Sequence, residues 1–272
     1  MPPVVIAMAT AAAILLPIVI FIVVISITMV KRGEISMVKD PVPLEMKDRT
    51  NPAIVEGRAL LAEKNCKGCH IVENLGGDIR AFLGNDRQIN WPPSLNTQGM
   101  KTQPEWLRTF LKDPGNNRPR PWLDTRMPTF HFTEHEITVI RDYFSALDKV
   151  DSAWIDPVVE STPERLKAGE NLFNELQCMK CHPTGPTTGA DAGVAPNLQL
   201  AHTRLRPEWI RPWLLDPGKI APDTRMPSFF AVDSATGKRK TQSKELGGDV
   251  EAQIQALRDH LFTLGGGTLK VK

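Results

Sequence analysis

Two short stretches decide how this chain reads: Cys66-Lys67-Gly68-Cys69-His70 and Cys178-Met179-Lys180-Cys181-His182. C-x-x-C-H is the attachment pattern of c-type haem. Two thiols add across the vinyl groups of the porphyrin, and the adjacent imidazole is carried under the iron. Two intervening residues let both sulfurs reach one edge of the macrocycle. A single copy is also compatible with a zinc half-site. Two copies consume all four cysteines, which leaves no thiol for a disulfide or an all-cysteine zinc site. The residues therefore predict two covalently attached haem c groups. Cys66, Cys69, Cys178 and Cys181 are the anchors, and His70 and His182 the proximal iron ligands.

Working outward, the chain repeats itself around the two motifs. Glu56-Gly57-Arg58-Ala59-Leu60 stands before the first as Ala168-Gly169-Glu170-Asn171-Leu172 stands before the second. Pro93-Ser94-Leu95 matches Pro196-Asn197-Leu198, and Pro104-Glu105-Trp106-Leu107-Arg108 matches Pro207-Glu208-Trp209-Ile210-Arg211. Asp124-Thr125-Arg126-Met127-Pro128 matches Asp223-Thr224-Arg225-Met226-Pro227, and Ile140-Arg141-Asp142 matches Leu257-Arg258-Asp259. Apolar spacing predicts a helix before each haem motif, a helix over 104–112, and closing helices over 133–147 and 249–264. Strand-type alternation is scarce, so the fold class is all-α. The domain reading is an anchor over 1–30, a stalk over 31–52, a first domain over 53–148, a linker over 149–163, a second domain over 164–266 and a tail over 267–272.

Each repeat offers one sixth ligand. Met127 and Met226 occupy the same Thr-Arg-Met-Pro frame, and a thioether opposite an imidazole raises the potential of an iron that carries electrons. His131 and His135 flank the first frame and remain alternatives to Met127. His202 is read as solvent-facing and His260 as a helix-contact residue. A ligating imidazole usually gives its other N–H to a carbonyl, and Pro93 and Pro196 are the candidates to accept it. Arg126 and Arg225 are candidate partners of haem propionates, and Trp106 and Trp209 are expected against haem edges or the core.

From Met1 to Val30 there is no charged side chain, and the apolar run ends at Lys31-Arg32. A span of about 20 residues crosses a bilayer, and the basic n-region of a cleaved signal is missing. The expectation is an uncleaved single-pass helix, bent at Pro17. Basic residues after the span argue for a cytoplasmic soluble part, whereas haem attachment requires the outer face; the haem chemistry decides. The formal charge of +2, further lowered by haem propionates, gives no case for nucleic acid. Lys238-Arg239-Lys240 and Lys244 stand either as a docking patch for an acidic redox partner or as a solvated loop.

With these motifs assembled, each repeat resembles the class I c-type cytochromes, across residues 53–266. The resemblance implies two tandem cytochrome domains behind a transmembrane helix, with Gly57 and Gly169 at the crossing of first and last helices. The whole chain resembles membrane-anchored dihaem subunits of quinol-oxidising or haem-copper oxidase complexes. The expected function is one-electron relay on the outer face of a bacterial inner membrane, among other subunits of a respiratory complex and a redox partner protein. The chain is read as an electron-transfer subunit before it is read as an enzyme. The alternative is a dihaem peroxidase with one open iron, against which both Thr-Arg-Met-Pro frames argue. A sensor or assembly subunit is a third class.

Overall fold

In a computed structural model of the chain, the described residues are 46–84, 90–120, 123–153, 159–185, 195–241, 243–267 and 269–271. The expected membrane span lies outside them. No helix among the described residues is long and apolar enough to cross a membrane.

Six main helices carry the fold: α1 Pro52–Glu63, α2 Pro104–Lys112, α3 Glu134–Asp148, α4 Pro163–Glu175, α5 Pro207–Leu215 and α6 Val250–Thr263. Four of them begin on proline, whose missing N–H is unneeded in the first turn. Asn51 caps α1 by accepting from Ala53 N, and Thr162 caps α4 by accepting from Arg165 N. A capping box opens α3: Thr133 accepts from Glu136 N, while the Glu136 carboxylate accepts from Thr133 N. Asp249 accepts from Ala252 N at the start of α6. The expected helix over 104–112 has those bounds, and the two closing helices each differ from expectation by one residue at both ends.

Each half has its own apolar core. The first is built on Ile54, Leu61, Leu107, Leu111, Ile137, Ile140 and Phe144. The second is built on Leu172, Phe173, Trp209, Ile210, Ile254, Leu257 and Phe262. The first and last helices of each half cross at a glycine. A Cβ on Gly57 would stand 2.3 Å from Tyr143 Cβ, and one on Gly169 would stand 2.2 Å from the Ala256 carbonyl oxygen. The same bidentate fork ties the middle helix to the last in both halves, Arg108 to Glu134 at 3.0 and 3.1 Å and Arg211 to Glu251 at 2.7 and 2.7 Å.

Two short pairings add strand to the helical plan. β1 Ile71–Val72 and β2 Leu75–Gly76 form a hairpin just after the first haem motif. β3 Val159–Ser161 and β4 Leu269–Val271 run parallel, so residues read from sequence as linker and tail are hydrogen-bonded to one another.

The halves meet along equivalent residues. From Pro93 to Asp113 every landmark recurs 103 positions later, at Pro196 to Asp216. Thr102 bridges Leu205 in antiparallel fashion, Gln103 N donates to Arg204 O at 2.9 Å, and Arg206 N donates to Lys101 O at 3.0 Å. Those three pairs exchange places under a local two-fold axis. Thr102 and Gln103 are buried there, and Met100 of the first half packs against the second core. The Asp148 carboxylate accepts from Met100 N at 2.9 Å, and burial pushes its carboxyl up to about 6.

Gly57→Ala and Gly169→Ala are each expected to lose about 1–3 kcal/mol or more through overpacking. The check is the urea midpoint of the haem-loaded protein, with Gly218→Ala, whose Cβ meets nothing within 4 Å, as the neutral control. A second expectation concerns acid. The Lys64 ammonium, followed by the Thr133 N–H, holds Glu136 down to about 2 from an ordinary 4.5. A depressed carboxyl contributes stability that is present above 4.5 and lost as pH falls toward 2. Stability of Glu136→Gln measured across that window should therefore fall less steeply than that of the unaltered protein.

Candidate haem sites

Each haem motif is one helical turn entered through a left-handed residue. Asn65 (φ 52°) and Gln177 (φ 56°) break the preceding helix, and the chain then coils over Cys66–Cys69 and Cys178–Lys180. In both, the histidine N–H closes the turn on the first cysteine's carbonyl, at 2.9 Å for His70 to Cys66 O and 3.0 Å for His182 to Cys178 O. A turn of helix places residues i and i+3 on one face, so the two sulfurs of each motif share a side. None of the four cysteines is in a disulfide. Burial pushes the first thiol of each pair up, Cys178 to about 11.

The imidazoles are oriented alike. His70 Nδ1 lies 2.8 Å from Pro93 O, and His182 Nδ1 lies 2.8 Å from Pro196 O. A carbonyl only accepts, so Nδ1 carries the proton and Nε2 keeps a free lone pair. Burial pushes both imidazoles below their ordinary value, against the pull of the proline carbonyls, and a nearby arginine (Arg80 for His70, Arg204 for His182) adds to the fall. Both rings are held neutral and ready to ligate. Thiol pair, oriented imidazole and free lone pair are what covalent haem attachment needs, and the residues fit the group.

Met127 and Met226 are half-buried and pack against the core of their own halves, alongside Cys66 and Leu95 in the first and Cys178 and Leu198 in the second. His131 and His135 lie outside those cores: His131 is exposed at φ 53°, and His135 reaches Glu56 at 3.3 Å. The His260 ring lies 5.1 Å from that of Phe173. His202 corrects its expectation of facing solvent, because its Nδ1 is buried under Gly265 and Gly267 with no hydrogen-bond partner among the described residues.

Arg126 and Arg225 are both exposed. Trp106 and Trp209 stand at the contact between halves, where Arg204 lies 5.6 Å over Trp106 and Lys101 lies 5.9 Å over Trp209. The basic loop is partly committed to structure: Arg239 donates to the Leu215 and Phe230 carbonyls at 2.9 and 2.8 Å, and Lys240 pairs with Asp233. That leaves Lys238 and Lys244 of the expected patch.

Sequence reasoning missed Arg80. Its guanidinium pairs with Asp223 in the second methionine frame, donates to Pro92 O at 3.2 Å and lies 4.8 Å over Trp91. Pro92 precedes the carbonyl that orients His70, so one side chain joins the proximal side of the first site to the distal segment of the second. A reciprocal contact runs the other way, from Asn197 N to Pro119 O at 3.1 Å. Arg80 lies in a stretch with no counterpart in the second half, which is why the repeat did not flag it.

Compared with known proteins, residues 54–148 match the family model described as cytochrome c. That segment is a cytochrome c domain, which supports an electron-transfer haem protein and implies covalently bound haem c. Nothing among curated proteins or solved structures matches the chain.

Arg80→Gln is expected to lower the stability of the haem-loaded protein by about 1.5–3 kcal/mol, the range for hydrogen bonds to charged groups. Asp223→Asn should cost less, because Asp223 is 46% exposed. Thermal unfolding of the two variants checks the order.

Proposed function

We propose that the chain is a membrane-anchored dihaem cytochrome c that relays single electrons between protein partners. The observation that carries this reading is the repeated histidine bond, Nδ1 to a proline carbonyl at 2.8 Å in both halves. The second half then binds haem as the first does, through Cys178 and Cys181, with His182 and Met226 at the iron. Bound haem supplies Fe(II)/Fe(III) exchange of one electron. The chain's own residues do the rest: Pro93 and Pro196 hold the imidazoles in one tautomer and orientation, the packed helices keep both sites rigid, and Met127 and Met226 favour the ferrous state.

The uncharged run from Met1 to Val30 supports a single-pass anchor, and covalent haem attachment supports placing the haem domains on the outer face of a bacterial inner membrane. Anchoring raises the effective concentration for partners in the same membrane, which favours a subunit of a respiratory complex over a freely diffusing carrier. Arg126 and Arg225 remain exposed and available to haem propionates.

Haem content by pyridine haemochrome tests the count: two haems per chain in the unaltered protein, and one in Cys178→Ser/Cys181→Ser. One haem in the unaltered protein sinks the dihaem reading. Low-temperature EPR with near-infrared dichroism tests the ligands, with two low-spin irons and two methionine-to-iron charge-transfer bands expected. Met226→Ala should remove one band. A high-spin iron in the unaltered oxidised protein would bring the peroxidase reading forward.

A further inference from the structure

Lys101 and Arg204 are equivalent cations on either side of the local two-fold axis. Each ends the short turn that precedes a tryptophan-bearing helix, Gln98–Lys101 before α2 and Ala201–Arg204 before α5. Each lies eight residues beyond the proline that accepts the histidine N–H. Arg204 is 9% exposed and Lys101 is half-buried. Among the described residues neither side chain has a hydrogen-bond or ion-pair partner, and each rests only on the indole of the opposite half.

Such an arrangement is unfavourable as it stands. A cation resting on an indole recovers only part of what leaving it desolvated and unpaired costs. Burial, with the repulsion of Arg204 and Arg120 behind it, holds Lys101 down to about 7, and burial with repulsion from Arg120 holds Arg204 down to about 10. Among the described residues only other cations act on these two groups. Arg204 also acts on His182, the proximal residue of the second site. A buried arginine and a half-buried lysine without an anionic partner among the described residues call for carboxylates, and the guanidinium fork matches a carboxylate in geometry.

We propose that Lys101 and Arg204 form one shared cationic seat between the halves, filled by a propionate carboxylate from each haem. The proposal rests on the dihaem reading. Thioether attachment fixes the vinyl edge of each porphyrin, and the propionates leave from the edge away from it. Two haems held in equivalent frames around a local two-fold axis present those edges to the same pair of residues. A cation at that place disfavours ferric iron, and because the seat is shared it acts on both irons.

The test is an equilibrium redox titration of the haem-loaded full chain. Lys101→Met and Arg204→Met, each with two haems attached, should shift the ferric/ferrous ratio of both haems about tenfold toward ferric, which is 59 mV for a one-electron couple. Lys101→Arg and Arg204→Lys keep the charge and should keep both potentials. No shift, a shift at one haem alone, or an equal shift in the charge-keeping variants overturns the shared seat while leaving two haems in place. The unaltered protein carries its own arm, which stands even if a neutral variant does not fold. Potentials independent of added acetate are expected for propionates, and potentials that follow acetate concentration overturn them in favour of an exchangeable anion. One haem per chain overturns the dihaem reading and the seat with it.

Discussion

The constraint on which each half depends is a gap one hydrogen wide. The first and last helices cross at Gly57 in one half and Gly169 in the other, where even a methyl group would meet a neighbour at 2.3 or 2.2 Å. Close crossing lets short helices share a core of aliphatic and aromatic side chains, with Tyr143 packed directly on Gly57. Each first helix ends six residues beyond its crossing glycine, and the left-handed residue that follows turns the C-x-x-C-H segment back over the core. The proline carbonyl, the middle helix and the methionine frame are then stations on the remaining path between crossed helices. Displacing the crossing displaces all of them.

The second level of organisation is the contact between halves. Equal spacing from Pro93 to Asp113 and from Pro196 to Asp216 carries the histidine-orienting carbonyl, the terminal cation of the turn and the tryptophan helix as one block. The two blocks pair through Thr102 and Leu205. Outside that block the symmetry loosens. Arg80 ties the first proximal region to Asp223, while the opposite direction uses a backbone bond from Asn197 to Pro119. Similar connections with different chemistry are how two related sites acquire different electrostatics from one plan.

Much of this was legible in the residues. The histidine, cysteine, proline and methionine landmarks recur in one order, and helix starts at Pro104 and Pro207 are written by proline at the first turn. The illegible parts share a cause: they depend on meetings between distant residues. A lysine and an arginine at positions 101 and 204 are unremarkable until the fold sets them together over opposite indoles. Gln177 carries no mark of a left-handed backbone. The pairing of Val159–Ser161 with Leu269–Val271 joins segments with too few residues to show alternation. Conversely, Arg239 drew notice as one of a basic run, and its role proves to be bonding the Leu215 and Phe230 carbonyls.

The Thr102–Leu205 bridge has the form of an isologous contact, in which the same surface appears on both sides. Such a contact is self-complementary and saturates at two copies. It is the geometry that a homodimer of equivalent units would have, here formed within one chain. Fusion removes the concentration dependence of that association and frees the copies to diverge, as Lys101 has from Arg204 and Phe110 from Trp213. What began as an equality between subunits can thereby become a direction from one end of a chain to the other.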